Sequence, residues 1–448
     1  MASSTSRTFL RPSGSSFASN RTALFSVAKK REPTHWVEID RQAILNNIKT
    51  FRELLKPKIL LGCMLKGNCY GVGFFELLAI CHDNMDVMHA FDLNEALLVR
   101  EYEKINSLAR KRLIAHDTTC AEVEPCAELD IEVFLPGDIL TGGMERLNRL
   151  TPGKPLKAHI FIDTGLSREG FLPYQLPGLL VKIAGLEQQK KIKIIGVTTH
   201  FSSGDKKEIT KQQIKIFEAG YQLITETLKP AVHLEKCLSN SAATLSFYAE
   251  PLVDEDHVRI GQALNYGLFP SVATEQNATQ NNREVKLHPV VSWRCSTSNV
   301  RKFPAGTEMI CEDEALENGL SIKLREETMV AQFQVGAGDG YLSTINMDLE
   351  KAYVLVKGRR CKILSVELNT LCVNVGAVAE PEETIIATLI GKDGTESLSP
   401  ATVASWELAS TPKLAVHIFT AINSTIPRII VDGPDALTLV EPIRLRPM

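Results

Sequence analysis

The most informative stretch of this sequence is CMLKGNCYGVG, which runs from Cys63 to Gly73. It continues an apolar run that starts at Ile59, and after Lys66 the composition changes at once to the small residues of a turn. Such a run is typical of a buried parallel strand, and the turn is typical of a loop that joins a strand to a helix. In parallel α/β barrels these loops carry the chemistry. The stretch therefore puts the Lys66 amine where an enzyme of that architecture would use it.

A lysine at this position has two interpretations. Partial desolvation would lower the pKa of the Lys66 amine and make it nucleophilic, and one use of such an amine is a Schiff base with pyridoxal phosphate (PLP). A lysine that ends a strand is more often a solvated or snorkelling charge with no chemical role. The choice between the two depends on the rest of the chain.

Length and composition indicate a globular protein with more than one domain. The chain has 448 residues, enough for a ~250-residue barrel and a second domain. Its net charge of −3 gives no general attraction to nucleic acid or anionic lipid, and no apolar run reaches the roughly 18 residues of a membrane span. The ten cysteines form no CxxC pair and no cluster at zinc spacing. We therefore expect buried thiols in a reducing compartment, and no metal site.

The first residues have the composition of a leader. From Met1 to Arg31 there is no acidic residue, while serine and basic residues recur. This composition is typical of an organelle transit peptide, for a plastid or mitochondrion, and it is also that of a disordered tail. We exclude residues 1–33 from the fold, and without a transit function we expect a cytoplasmic protein.

Residues 34–283 are predicted to form a TIM-like α/β barrel, because strand-like and helix-like segments alternate along them. The predicted helices cover residues 44–55, Gly178–Gln188 and Lys211–Leu228. The predicted strands are Ile59–Leu65, Met88–Phe91, Arg112–Ala115, Ile131–Phe134, Ala158–Ile162 and Ile194–Thr198.

Beyond Pro270 the pattern changes to short β-rich runs separated by turns, which predicts a mainly β C-terminal domain over residues 284–448. A polar, Asn/Gln-rich segment at Ala273–Arg283 is typical of a linker or exposed loop. The first strand of the chain, Trp36–Asp40, could join this β domain. The predicted strands are Val290–Arg294, Met329–Val335, Ala352–Val356, Lys362–Val366, Leu371–Val375 and Thr384–Ile390.

Several predicted barrel strands are followed by polar groups that suit an anionic ligand. Arg168 lies in a glycine-containing turn and could bind an oxyanion through both arms of its guanidinium. Asn240 and Ser241 open a predicted helix, where hydroxyl and free N–H groups favour phosphate but also form ordinary N-caps. His200 could stack on or bond to a ligand, although a lone histidine is more often structural. The glycine of Arg259-Ile260-Gly261 would let the backbone approach a phosphate, although a plain turn is at least as common an interpretation.

Taken in order, these segments resemble the alanine racemase family of PLP enzymes, from about Trp36 to Arg428. The family motifs are matched by Lys66 with Cys69-Tyr70-Gly71, by Asp163 to Gly170, by Thr199-His200-Phe201, by Asn240 to Thr244, and by Arg259-x-Gly261 with Tyr266-Gly267-x-x-Pro270. The resemblance implies a PLP-binding barrel, a C-terminal β domain, a head-to-tail homodimer and a small amino-acid substrate. The implied reaction is the interconversion of L- and D-amino acids, as in D-amino acid metabolism.

The resemblance also implies roles for individual residues. Lys66 would hold the internal aldimine and act as the catalytic base. Tyr70, Ser241 and the backbone of Gly261 and Gln262 would hold the phosphate, with Asn240 close by. His200 would pack beside the pyridine ring, Arg259 would face the pyridine nitrogen, and Arg168 would bond the phenolic oxygen. Since an arginine does not readily give up a proton, the pyridine nitrogen would stay largely unprotonated.

The second half of the family's site departs from the pattern. The family uses two bases, the lysine and a tyrosine supplied by the partner subunit, and that tyrosine aligns with Ala337. The Met-Asp pair near the substrate carboxylate aligns with Leu368-Asn369, a second tyrosine aligns with Val416, and a lysine that is often carbamylated aligns with Phe161.

Three functions remain open on these residues. The first is an amino-acid racemase whose second base comes from elsewhere, such as Tyr341 or water. The second is a single-base PLP enzyme that uses Lys66 alone. The third is a catalytically impaired PLP-binding homologue.

Overall fold

The computed structural model describes residues 33–267, 278–280, 283–311, 320–342, 347–407 and 415–433. Residues 1–32 of the predicted leader lie outside these ranges, as does most of the predicted Ala273–Arg283 linker. Within the described ranges, no helix is both long enough and apolar enough to cross a membrane.

Eight parallel strands close into a barrel, because the last of them pairs with the first. The prediction of a TIM-like α/β barrel is therefore confirmed. Strand β1 (His35–Asp40) precedes the barrel, which consists of β2 (Leu60–Met64), β3 (Val87–Asp92), β4 (Arg112–Asp117), β5 (Glu132–Phe134), β6 (Leu156–Phe161), β7 (Ile192–Thr198), β8 (Glu235–Asn240) and β9 (His257–Ile260).

Helices connect these strands and cover the outside of the barrel. Helix α1 shows why they form where they do, because the Asp40 side chain accepts a hydrogen bond from the amide of Ala43 and caps its first turn. The helices are α1 (Arg41–Leu54), α2 (Phe74–Cys81), α3 (Leu93–Ile105), α4 (Val123–Glu128), α5 (Met144–Leu147), α6 (Leu176–Gln188), α7 (Lys207–Leu228), α8 (Ser241–Phe247) and α9 (Gln262–Tyr266), with 3₁₀ turns at Gly137–Leu140 and Pro173–Gln175.

The interior of the barrel is unusually polar. His89, His159, His257 and Glu132 are all at most 6% exposed. Arg112 on β4 donates to both Glu132 and Glu235, at 2.7 to 2.9 Å. The charges of this layer are therefore paired, whereas an unpaired buried charge would cost about 3–5 kcal/mol.

The C-terminal domain is mainly β, as predicted, and its largest sheet contains ten strands. Strand β1 from the N-terminus lies in this sheet, antiparallel to β12 (Val291–Thr297) and parallel to β22 (Arg428–Val431). The domain boundary near residue 284 stays a prediction. The remaining strands are β10 (Ala278–Gln280), β11 (Arg283–Val285), β12 (Val291–Thr297), β13 (Val300–Phe303), β14 (Glu308–Cys311), β15 (Leu320–Lys323), β16 (Thr328–Phe333), β17 (Tyr353–Val356), β18 (Arg359–Val366), β19 (Leu371–Asn374), β20 (Ile385–Asp393), β21 (Glu396–Leu398) and β22 (Arg428–Val431).

The large sheet runs in the order β13-β16-β19-β18-β17-β20-β12-β1-β22, with β21 paired to β20. Two hairpins, β10-β11 and β14-β15, lie outside it. The domain also contains helices α10 (Pro400–Ala404) and α11 (Ala415–Ala421), and 3₁₀ turns at Ala337–Asp339 and Gly376–Val378.

Candidate active site

A cavity of about 350 Å³ opens at the carboxyl ends of the barrel strands. The nine residues that the sequence singled out all line it. They come from the ends of five different strands and their following loops, which is how barrel enzymes build a site. These residues are Lys66, Tyr70, Arg168, His200, Asn240, Ser241, Arg259, Gly261 and Gln262.

The segment Lys66–Tyr70 is a left-handed turn directly after β2. Residues 67–70 have φ between 54° and 62°, a conformation that costs a non-glycine residue about 1–2 kcal/mol. Hydrogen bonds from the rest of the chain hold it there: the Gly67 amide donates to Glu95 at 3.1 Å, and the Tyr266 hydroxyl donates to the Tyr70 carbonyl at 2.7 Å. The turn brings the Lys66 amine and the Tyr70 ring to the same cavity.

The environment of the Lys66 amine favours its neutral form, which is the nucleophilic one. Burial lowers the pKa of Lys66 below its ordinary value, and the charges of Arg168 and Arg259 lower it further. Its Nζ lies 5.6 Å from the centre of the Tyr70 ring. A larger share of the amine is therefore neutral at a given pH than in an exposed lysine.

Donors for an anion gather at the ends of β8 and β9. The Gly261 amide donates to the Ser241 hydroxyl at 3.0 Å, so these two groups face one another across the cavity wall. A Cβ at Gly261 would lie 2.6 Å from the Tyr70 hydroxyl, so only glycine leaves room for the tyrosine. Two hydroxyls and the backbone amides around Gly261 form a donor set that fits a phosphate group.

Arg259, in strand β9, adjoins this donor set and is 5% exposed. Its guanidinium donates to the hydroxyl of Thr198 at 2.8 Å and to the carbonyl of Thr199 at 2.6 Å. The guanidinium nitrogen that donates to Thr199 also lies 3.2 Å from Nδ1 of His200. Burial holds the pKa of His200 well below its usual range, with Arg259 adding to the effect, so the imidazole is neutral and its Nδ1 accepts from the arginine.

Arg168 and Asn240 also line the cavity. The loop that presents Arg168 is shaped by Asp163, which accepts from the amides of Gly165 and Ser167 at 2.9 and 3.0 Å. The Arg168 guanidinium is half exposed and pairs with Glu169 at 2.8 Å. Asn240 caps α8, because its side chain accepts from the Ala243 amide at 3.1 Å, and this cap orients Ser241.

The cavity also contains residues that the sequence analysis did not single out. His116, Phe91, Phe134 and Glu169 line it beside the predicted set. His116 had a usable signal, because it is a polar residue directly after the apolar run Leu113–Ala115, as Lys66 is after its own run. Within the described part of the chain, no group of three or more His, Cys, Asp or Glu side chains could hold a metal ion.

Two of the departures from the family pattern, Ala337 and the Leu368-Asn369 pair, lie together in the C-terminal domain. Ala337 donates its amide to the Glu367 carbonyl at 2.9 Å, and Gly338 donates to Leu368 at 2.7 Å. The 3₁₀ turn Ala337–Asp339 therefore packs on the loop between β18 and β19, where Leu368 is 69% exposed. We call this surface, formed by residues 336–340 and 367–369, the turn surface.

Tyr341 follows the turn surface but points away from it. Its side chain is 5% exposed, packs edge-on against Trp293 at 5.7 Å, and its hydroxyl has no hydrogen-bond partner among the described residues. Burial raises the pKa of Tyr341. Both observations disfavour Tyr341 as the replacement second base, because its hydroxyl is enclosed within its own domain.

Two sequence models match the chain. The one described as alanine racemase, N-terminal domain, matches residues 39–270, and the one described as alanine racemase, C-terminal domain, matches residues 290–430. Among curated relatives, the alanine racemase of Methylacidiphilum infernorum is 27% identical, over 88% of this chain and 92% of its own length. That of Leptospira interrogans is 26% identical, over 91% and 98%.

Solved structures show the same fold. The alanine racemase of Bacillus anthracis with bound L-Ala-P is 24% identical, with a TM-score of 0.74, and covers 92% of this chain and 98% of its own. The histidine racemase of Leuconostoc mesenteroides is 21% identical, with a TM-score of 0.71 over 89% and 98%. Because the two sequence models together match most of its length, the chain belongs to the alanine racemase family.

Proposed function

We propose that this protein is a PLP-dependent amino-acid racemase that acts on alanine or another small amino acid. The observation that carries the proposal is that the nine predicted cofactor residues line one cavity around a desolvated lysine. Family membership and the alanine racemases among the curated relatives support it. The histidine racemase among the structural neighbours indicates that this fold serves other amino acids as well.

The donor set fits PLP, and each residue has a role in holding it. The hydroxyls of Tyr70 and Ser241 and the amides of Gly261 and Gln262 would bind the phosphate, and the glycine leaves the space that this needs. Lys66 would hold the cofactor through its amine. When bound, PLP would withdraw electrons from the substrate Cα and so acidify the α-proton.

Two arginines and a histidine complete the cofactor site. Arg259 would donate a hydrogen bond to the pyridine nitrogen without giving up its proton. Neutral His200, which lies against Arg259, would pack beside the ring. Arg168 would bond the phenolic oxygen. Lys66 would remove or return the α-proton on one face of the amino acid.

A single-base enzyme is the second candidate, and Ala337 favours it. Racemisation needs a proton taken from one face of Cα and delivered to the other, and a methyl side chain cannot carry it. With Lys66 as its only base, the protein would exchange the α-proton of one enantiomer without inverting it.

Proton NMR in D₂O separates the candidates. Purified protein with PLP is incubated with L- and D-alanine separately, and the product is analysed for chirality. We expect both enantiomers to exchange the α-proton and to yield the other enantiomer. Exchange of one enantiomer without inversion would establish the single-base enzyme, and no exchange of any amino acid tried would leave only a PLP-binding protein. In that single-base case, an Ala337→Tyr variant that gains inversion would locate the missing base.

Removing the Lys66 amine tests the cofactor assignment directly. In Lys66→Ala we expect the visible absorbance of lysine-bound PLP to disappear and turnover to fall below detection. The matched control is Lys49→Ala, since Lys49 is 74% exposed on α1 and does not line the cavity. Retained lysine-bound absorbance in Lys66→Ala would refute the assignment.

A further inference from the structure

His116 is a chemically competent cavity residue that the proposed cofactor roles leave unused. It ends β4 and lines the same cavity as Lys66. Its ring stacks on Phe134 at 4.1 Å with an interplanar angle of 23°, and its Nε2 lies 2.8 Å from Nδ1 of His89. The ring is therefore fixed in orientation, while its Nδ1 makes no hydrogen bond to the described residues.

His116 is the outer end of a chain of three imidazoles inside the barrel. Nε2 of His89 lies 3.0 Å from Nε2 of His257, whose Nδ1 is buried without a partner among the described residues. A Cβ at Gly62 would lie 2.5 Å from the His257 ring and 2.7 Å from the His89 ring. Strand β2 therefore needs glycine at this position to leave room for the imidazole rings of His89 and His257.

The hydrogen bonds restrict where protons can lie in this chain. Three neutral imidazoles carry three ring protons, and the two N–H···N bonds use two of them. The third proton lies either on Nδ1 of His257 or on Nδ1 of His116. In the first arrangement, Nδ1 of His116 offers a lone pair to the cavity.

Burial and nearby positive charges keep the three imidazoles neutral until one of them accepts a proton. Burial holds the pKa of all three histidines well below the usual range. Besides His89, which is hydrogen-bonded to it, the charged and titratable groups that act most on His116 are Arg259, Lys66, His200 and His159, and each of these four disfavours a charge on it. A proton taken at Nδ1 can pass along both N–H···N bonds, which spreads the charge over three rings.

We propose that His116 is the second proton-transfer group of this cavity and replaces the tyrosine that the family supplies from the partner subunit. This inference rests on the proposed function. In one direction Nδ1 of His116 takes the α-proton and the C–H electron pair stays on Cα, while the Lys66 ammonium forms the new C–H bond on the other face. The reverse reaction exchanges the two roles, and between turnovers His116 and Lys66 exchange one proton through solvent.

The test variant is His116→Gln, which keeps a polar contact to His89 but does not titrate near neutral pH. We expect it to retain the absorbance of lysine-bound PLP and the exchange of one alanine enantiomer in D₂O, while inversion falls at least about 100-fold. The matched control, His233→Gln, removes a histidine that is 62% exposed and should invert at the wild-type rate. A His116→Gln protein that inverts both enantiomers at the wild-type rate would overturn the proposal.

A second measurement separates this inference from the proposed function. Nitrogen NMR of histidine-labelled holoenzyme reports which ring nitrogen of His116 carries the proton, whether or not alanine reacts. We expect Nε2 to be protonated and Nδ1 unprotonated, and Nδ1 to shift on loading with PLP. A protonated Nδ1, or an Nδ1 signal that does not shift when PLP is added, would contradict the proposed role of His116. If the wild-type protein inverts no amino acid, the proposed racemase function is wrong. Proton transfer by His116 is then supported only if His116→Gln changes the rate of α-proton exchange.

Discussion

Gly261 is important because it has no side chain. The Tyr70 hydroxyl occupies the space that a Cβ would fill, at 2.6 Å, and two ring carbons of Tyr70 would lie 2.9 Å away. We therefore expect Gly261→Ala to push Tyr70 out of the proposed phosphate site and to raise the Kd for PLP about 10- to 100-fold, which corresponds to about 1.4–2.8 kcal/mol. A fluorescence titration of the apoprotein with PLP measures this.

The control for this change is Gly178→Ala on α6, where a Cβ would meet nothing within 4 Å. Its PLP affinity should be unchanged, and its stability should rise by about 0.5–1 kcal/mol because alanine is the better helix former. Equal PLP affinity in Gly261→Ala and wild type would show that the Tyr70 hydroxyl does not contribute to binding.

The cavity residues could be predicted because each follows a strand end within a recognisable short motif. Lys66, Arg168 and Ser241 are examples, and all three line the cavity. His116 also follows a strand end, but it belongs to no such motif, and the role proposed for it depends on His89, 27 residues away, lying 2.8 Å from it. Contacts of this kind arise only when the barrel closes.

At the scale of elements, apolar runs predicted six of the barrel strands, and β8 and β9 were missed for a physical reason. β8 (Glu235–Asn240) and β9 (His257–Ile260) carry charged and polar residues that are satisfied inside the barrel, such as Glu235 by Arg112 and Arg259 by Thr198. A polar interior removes the hydrophobic run by which a buried parallel strand is recognised.

The left-handed turn after β2 was also beyond sequence analysis in its detail. Glycine at position 67 is compatible with positive φ, but Asn68, Cys69 and Tyr70 share the conformation with it. Their strain is offset by hydrogen bonds from distant residues, such as the one from Asn265 to the Cys69 carbonyl at 3.2 Å. Local propensity therefore indicated a turn but not its handedness.

The charged layer formed by β4, β5 and β8 makes the barrel sensitive to acid. Glu132 is 6% exposed, and although burial alone would raise its pKa, hydrogen bonds from His159 and Arg112 lower it to about 2. We expect Glu132→Gln to lower the free energy of unfolding by about 3 kcal/mol at neutral pH, because it leaves charge on Arg112 without its buried partner. Urea denaturation measures the loss.

The pH dependence has a defined direction. An unfolded glutamate titrates near 4.3, so between about pH 4.3 and pH 2 the unfolded chain binds the extra proton and wild-type stability falls as pH falls. Glu132→Gln should lose this part of the dependence. Glu235→Gln is the control, because Glu235 is 27% exposed and should contribute about 1 kcal/mol or less. Equal losses in the two variants would contradict the assignment of the buried pair.

At the scale of the whole molecule, the two domains hold the Lys66 turn between them. Arg428 in β22 donates to the Gly71 carbonyl at 3.0 Å, and a Cβ at Gly71 would lie 2.1 Å from the Phe419 carbonyl. Strand β1, paired on both sides in the C-terminal sheet, leads directly into the first barrel helix. The C-terminal domain therefore supports the barrel's own site within one chain, apart from any role towards a partner.

The turn surface gives the test of the predicted head-to-tail homodimer. Leu368 exposes 69% of its surface beside Ala337, at the position where the family resemblance puts the partner subunit's cavity. Burial of this side chain would favour association by about 1.5–3 kcal/mol, and a carboxylate there would instead have to be desolvated. We expect Leu368→Glu to raise the dimer Kd at least about 10-fold in sedimentation velocity, with lysine-bound PLP retained.

Val181→Glu is the matched control for Leu368→Glu, since Val181 is 78% exposed on the outer face of α6 and faces no predicted partner. It should sediment as the wild type does. If Leu368→Glu also remains dimeric, the interface lies elsewhere on the molecule, and the partner cannot supply the turn surface to the cavity. Loss of the dimer with unchanged inversion of alanine would mean instead that one chain contains both proton-transfer groups, because Lys66 and His116 line the same cavity without a partner.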